Sequence, residues 1–482
     1  MLCREALLRC TVAGFLGFAL IGCRSPRSSV PVCDPDYAAI EAALATSSTS
    51  TALEPGDVAL APELAGPQPV ETYVHYALGA NPEIFAARQR VEAETMRVPQ
   101  AAALQDPMLE VNPFLDPMHM GDMRQVIDMG VSQQIPWRGK RGTRAAAAEQ
   151  EAERARAELA ATELAVIEQV KVAYYELYFI QQAIQVTEAD RELLNGLQAI
   201  ASARFGVGEV TQQDVLRAEL EILELDNQLV QLNQQLISAQ ARLARQLHLS
   251  PETPLRALED LPEEQIPQDV ARLYDQAVAA RPELHAQLAD IMQQRHNVDL
   301  ARLEYFPDVR LSGMWMGMDR PNAPPGGSSG GSAVKLGIGV NLPIYRQRLD
   351  AGLREAEARV VASARQYDSL RDQTREEVAD LFAQVQSQQE LLRLLREEIV
   401  PKADQTFEVS LRAYEVGDVT FLQLVDNWRQ LLRFQISAYR LESQLRQSLA
   451  RLERVVGGVW GAEWEMEWEP EAQPAAQPEE AA

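Results

Sequence analysis

Basic side chains are scarce in this chain of 482 residues. Lys and Arg number 45 against 70 Asp and Glu, a formal net charge of −25. Binding nucleic acid requires a basic stripe to neutralise phosphates, so that class of partner is excluded. Histidine is also rare, with five scattered copies, and nothing in their spacing resembles a structural zinc site. No Gly-rich phosphate loop follows a strand, and GxSxG, HExxH and Cys/His pairings are missing, which argues against an enzyme. Cysteine occurs only four times, at 3, 10, 23 and 33.

The apolar run TVAGFLGFALIG, preceded by Arg4 and Arg9, is too short to span a bilayer as a stable helix. It ends in LIGC, residues 20–23, a pattern cut by lipoprotein signal peptidase. Residues 1–22 are therefore expected to be a lipoprotein signal peptide, with Cys23 the lipidated N-terminus carrying a covalent lipid. The alternatives are an ordinary secretory signal or an uncleaved anchor. Arg24 follows in place of the Asp that retains lipoproteins at the inner membrane, which fits an outer-membrane address. Removal of Cys3 and Cys10 and lipidation of Cys23 leave Cys33 alone, so no intrachain disulfide can form. Residues 23–70 read as the lipidated N-terminus and a Ser-, Pro- and Ala-rich linker. Residues 458–482 read as an acidic disordered tail, with seven acids and no basic residue after Val459.

What the chain does have is a long internal repeat. HYALGANPEIFAA (75–87) echoes DQAVAARPELHAQ (275–287), and Pro107 falls on Pro307 at the same offset. QIPWRGKR (134–141) echoes NLPIYRQR (341–348). Phe205, Gly208, Val210 and Thr211 fall on Tyr414, Gly417, Val419 and Thr420. Four echoes in one order mean two similar halves of about 200 residues, far longer than a solenoid unit. We place them at 71–265 and 266–457.

Each half opens with helical sequence (72–104 in the first) and continues into two stretches of alternation, 107–113 and 125–135, then 307–317 and 333–342. Val334, Leu336, Ile338, Val340 and Leu342 share one face; Lys335, Gly337, Gly339 and Asn341 share the other. Val309, Leu311, Gly313 and Trp315 likewise stand opposite Asp308, Arg310 and Ser312. Apolar-out, polar-in strands of about ten residues suit a transmembrane barrel wall. Four strands do not close a barrel, so either the chain oligomerises or these are edge strands of a soluble sheet. Long helical segments follow, about 142–205 returning over 211–248, and 349–414 returning over 420–456. Leu225, Leu229, Leu232, Leu236, Ala239 and Leu243 trace a coiled-coil seam, and Leu441, Leu445, Leu449 and Leu452 another. The fold class is α+β, mainly α: a duplicated unit of two strands and a long helical hairpin.

At the hairpin tips, Gly206 and Gly208, and Gly417 in the second copy, supply backbone freedom for a turn. Thr211 stands three before Asp214, and Thr420 three before Gln423, the spacing of a capping box. That spacing by itself describes only a helix stop and restart.

Taken together, the duplicated ALxxxPE openings, the IPWRGKR and LPIYRQR junctions and the two VGxVT tips resemble the outer membrane efflux protein family, the TolC-like exit ducts of tripartite pumps. The likeness covers about 70–457. It implies a homotrimer whose four strands per chain close a twelve-stranded outer-membrane barrel, continued by a periplasmic tunnel of helices. It further implies that Gly206, Val207, Gly208, Val210 and Thr211, with Val416, Gly417, Val419 and Thr420, meet a periplasmic adaptor that links the duct to an inner-membrane pump. By position, Asp214 and Asp426 match acidic pore residues, and Gln423 stands where some members are acidic, which implies a weaker negative ring at the constriction. No cofactor is implied beyond the lipid.

Met118, Met120 and Met123 fall in the first outer loop, and Met314, Met316 and Met318 alternate on the polar face of the third strand. Thioethers are soft ligands for Cu(I) or Ag(I), although methionine also simply fills strand faces. Heavy-metal cations are therefore one cargo class to weigh. The competing readings are a lipidated periplasmic adaptor, which would carry one hairpin, and a structural coiled-coil lipoprotein, which leaves the strand alternation unexplained.

Overall fold

The computed structural model describes Leu64, residues 66–114, 119–120, 123–262, 266–320 and 330–458. The signal segment, Cys23, most of the linker, the acidic tail and Met118 lie outside the described residues; of Met120 and Met123 only the backbone is described.

In chain order, β1 (Pro67–Gln68) leads into the first half, which holds α1 (Val70–Ala80), α2 (Pro82–Ala102), β2 (Met108–Pro113), β3 (His119–Met120), β4 (Met123–Ile135), α3 (Lys140–Gly206), α4 (Gln212–Gln246) and β5 (Arg256–Ala257). The second holds α5 (Val270–Ala280), α6 (Pro282–Leu303), β6 (Val309–Asp319), β7 (Gly330–Val340), α7 (Arg346–Leu394), a π-helical turn (Leu395–Ile399), α8 (Val400–Val416) and α9 (Phe421–Val456). The two strand pairs and two helical hairpins stand where the alternation and the helical runs place them. Among the described residues no helix is long and apolar enough to cross a membrane.

Two helical runs are less continuous than their sequence suggests. The opening run breaks at Asn81, whose backbone is extended because a proline follows. Asn81 Oδ1 then caps the next helix by accepting from the Glu83 amide at 2.8 Å. Its counterpart Arg281 adopts the same backbone before Pro282. The outbound helix of the second half widens into the π turn just before Pro401, which lacks the N–H that an α-helical ladder needs there.

The main sheet runs β2-β4-β6-β7, all antiparallel, with β3 on the end of β4. Its register brings the two halves together. Leu109, Val131, Gly313 and Leu336 form one cross-strand row, and Val111, Met129, Trp315 and Val334 the next, all on one face. Leu336 is 84% exposed. The opposite face carries Glu110, Asp128, Arg310, Ser312 and Lys335. β2 and β7 have no outer partner among the described residues.

α3, with 67 residues, is on the order of 100 Å long. Midway along it, Tyr73, Tyr174, Leu177 and Leu243 form the largest buried cluster. The short parallel pair β1–β5, which the sequence does not announce, is anchored there. Tyr174 donates to Gln68 O at 2.9 Å and accepts from the Leu258 amide at 3.1 Å, while Tyr73 donates to Arg256 O at 2.9 Å. The α4 seam is buried at Leu225, Leu232, Ala239 and Leu243, with Leu229 and Leu236 half-buried. A second stripe on α4, Leu216, Leu220, Leu223, Val230 and Ile237, is exposed along its length. Its spacings of four, three, seven and seven are again those of a coiled-coil seam.

At the sheet-to-helix junction, Lys140 of the RGK segment is fully buried. Its ammonium lies 2.9 Å from Asp308 and 3.5 Å from Glu304, and Asp308 also accepts from the Trp137 amide at 2.7 Å. Trp137 stacks on Phe306 at 5.2 Å. The motif of the first half thus clasps the strand entry of the second.

Candidate functional site

The two hairpin tips are built from the same backbone device. The Gly208 amide donates to Phe205 O and the Glu209 amide to Arg204 O, both at 3.0 Å. In the second copy the Gly417 amide donates to Tyr414 O at 3.1 Å and the Asp418 amide to Ala413 O at 2.9 Å. These are Schellman closures, which need a left-handed residue; Gly208 and Gly417 supply it with φ of 80° and 88°. Gly206 differs from expectation. It is the last residue of α3 and has no positive φ, so Gly208 alone makes the turn.

Both return helices start with a capping box. Asp214 Oδ2 accepts from the Thr211 amide and hydroxyl, each at 3.2 Å. Gln423 Oε1 accepts from the Thr420 amide at 3.3 Å, and its own amide donates to Thr420 Oγ1 at 3.4 Å. Asp214 and Gln423 are therefore both turned back onto their caps. Asp426 is free of that duty, exposed, and 3.7 Å from Arg429. Val207 and Val416 stand out at the apices, 72% and 74% exposed, while Val210 and Val419 are half-buried behind them.

Several residues that join the tips escape sequence reasoning. Arg204 crosses from the first tip to the second, donating to Tyr414 O and stacking over the Tyr414 ring at 5.0 Å, while Glu209 holds its other side at 3.0 Å. Tyr414 is consequently buried against Phe421, whereas its repeat counterpart Phe205 is 45% exposed. Arg429 reaches Glu221 on α4 with a two-pronged bond, its Nε at 2.9 Å, and the Glu221 side chain is only 5% exposed. At the repeat offset Arg204 falls on Ala413, Glu221 on Gln430 and Arg429 on Leu220. Comparing the halves highlights what they share, and these bridges come from what they do not. Beside Arg429 in the chain, Trp428 Nε1 donates to Asp190 Oδ1 at 3.2 Å, and the other Asp190 oxygen is buried without a hydrogen-bond partner. Burial raises the Asp190 pKa, opposed by the Trp428 bond.

Away from the tips, Met314, Met316 and Met318 lie on the polar face of the sheet, where the alternation puts them. Among the described residues no three His, Cys, Asp or Glu side chains are grouped to hold a metal.

With this geometry in hand, the relatives are informative. The sequence model described as Outer membrane efflux protein matches residues 73–247 and 273–458, one segment in each half. The chain is 23% identical over 419 residues to the cobalt-zinc-cadmium resistance protein CzcC of Cupriavidus metallidurans, covering 86% of this chain and 95% of CzcC. Among solved structures, CusC matches with a TM-score of 0.70 at 19% identity, over 81% of this chain and 92% of CusC. VceC of Vibrio cholerae matches with a TM-score of 0.66 at 20% identity, over 81% of this chain and 96% of VceC. At these identities the likeness to CusC and VceC is one of fold.

Proposed function

The chain belongs to the outer membrane efflux protein family, and from that premise we propose that three copies join into one export duct across the outer membrane and periplasm. The observation that carries this reading is the main sheet: one continuous apolar face bounded by two edges, β2 and β7, that are unpartnered among the described residues. Lipid offers no hydrogen bonds to an open edge, so a sheet with such a face must close. Edge-to-edge union of three copies makes a twelve-stranded wall with the polar face inside. The exposed stripe on α4 then packs against a neighbouring copy, extending the wall as a tunnel of helices.

At its inner end the duct presents six tips. Val207 and Val416 head the surface offered to the hairpins of a periplasmic adaptor, which couples the duct to an inner-membrane pump; Val210, Val419 and the glycine turns hold that surface in shape. Asp426, Asp214 and Gln423 line the constriction. Arg429 offsets part of the negative charge there, so the ring is a modest cation filter. Cys23 carries the lipid that holds the chain to the outer membrane. The cargo is a heavy-metal cation, a reading supported by the resistance in which CzcC is named.

Membrane fractionation and cross-linking of the expressed protein test the assembly. The expected result is a heat-modifiable trimer in the outer membrane. A soluble monomer or an inner-membrane location would overturn it and favour a lipidated adaptor.

A further inference from the structure

We propose that Met316 and Met318, with Met314 as the next rung, bind a soft monovalent cation, Cu(I) or Ag(I), on the lumen face of the sheet. The inference rests on the duct reading, which makes that face the lumen, and it points to softer ions than the cobalt and zinc in the name of CzcC.

Position is the first argument. The three methionines take consecutive polar-face sites on β6, and none belongs to a buried hydrophobic cluster. On the opposite, lipid-suited face of the same strand the chain uses Val309, Leu311 and Trp315. All three are half-buried, so their thioethers are partly sheltered on a face otherwise lined mainly by polar side chains and glycine.

Surroundings are the second. Met316 lies across from Asp128 on β4 and Ala333 on β7; Met318 lies across from Gln125 and Gly331. The β7 neighbours, Ala333 and Gly331, are small, and both methionines are half-buried. Alternate strand residues are about 6.7 Å apart, within reach of two flexible thioethers turned toward one ion. A β-bulge after Gln125 brings its amide to the Asp128 carboxylate, holding that anion beside Met316. Met314 instead faces Lys335, whose ammonium repels a cation, so the pair further along the strand is the better site.

Donor type is the third. With no grouping of three His, Cys, Asp or Glu among the described residues, the donors beside Met316 and Met318 are neutral sulfur and the Asp128 carboxylate. Thioethers select Cu(I) and its congener Ag(I) over Zn(II) or Co(II), which favour nitrogen and oxygen.

The test titrates silver nitrate, in chloride-free buffer, into the purified full-length protein carrying Cys33→Ser so that no free thiol competes. Calorimetry should show saturable binding, and X-ray absorption at the silver edge should show sulfur neighbours. Met316→Leu with Met318→Leu, which conserves volume, should weaken binding at least about tenfold. Met129→Leu, on the outer face, should leave it unchanged. Absence of saturable binding, equal binding by the double variant, or zinc binding that the double variant abolishes would overturn the proposal. Conductance in planar bilayers separates this from the duct reading. Channels that conduct without binding silver sink the methionine site alone, whereas a parent protein that forms no channel sinks the duct.

Discussion

His248 and Gly457 hold equivalent places where the two return helices end, and they show how far duplication constrains a single residue. The Leu249 amide donates to Ala244 O and the Gly458 amide to Glu453 O, both at 2.9 Å, so each helix closes by the same left-handed turn. Gly457 (φ 91°) cannot change, because a side chain there would sit 2.6 Å from the Ala280 backbone. His248 (φ 55°) adopts the left-handed conformation with a side chain. His248→Gly should therefore stabilise the fold by roughly 0.5–1 kcal/mol, the left-handed penalty less the greater freedom of unfolded glycine; thermal melting would measure it. Asp190 shows the same scale acting through charge. Its folded pKa lies above the unfolded value because burial outweighs the Trp428 hydrogen bond. Between those two pKa values the folded state holds more protons, so stability falls as pH rises through that window, and above it the ionised carboxylate is a constant cost. Asp190→Asn keeps an acceptor for Trp428 and should raise the melting temperature near neutral pH. The gain should shrink on acidification toward the ordinary carboxylate range, and a gain independent of pH would contradict it.

At the scale of elements, each tip combines a Schellman stop with a capping-box start, and this much was legible in the sequence. Glycine, threonine and their N3 partners act within a few residues of one another, so spacing alone predicts them. The same spacing hides a choice at Asp214, which serves as a cap and, in the proposed duct, as a pore charge. Its repeat counterpart Gln423 makes the equivalent bond to Thr420 without a charge. Asp214→Gln should thus keep stability, while Asp214→Ala should cost about 1 kcal/mol. Combined with Asp426→Ala, Asp214→Gln should raise single-channel conductance in planar bilayers, and unchanged conductance would remove these residues from the constriction. The bridges from Arg204 to Tyr414 and from Arg429 to Glu221 were not legible. Their partners are 210 and 208 residues apart and follow no repeat.

For the whole molecule, the exposed α4 stripe decides between a free-standing hairpin and a wall segment. Leu223→Glu with Val230→Glu changes only exposed positions, so the single chain should still fold. Cross-linking should show loss of the proposed trimer with helix content retained by circular dichroism; an intact trimer would place the contact between copies elsewhere. Such a stripe reads in sequence like the buried seam beside it, because both repeat every seven residues. Only packing reveals that Leu225, Leu232 and Ala239 are covered and Leu223, Val230 and Ile237 are not.

That contrast marks the division between the two levels. Helix ends, turn chemistry, strand faces and the duplicated plan are set by interactions over a few residues, and a repeat states them twice, so the amino-acid order alone determines them. Cross-strand register, the clasp of Lys140 onto Asp308 and the links between tips depend on residues brought together from the two halves. Tertiary structure decided those, because a long-range contact leaves no periodic trace in the chain that makes it.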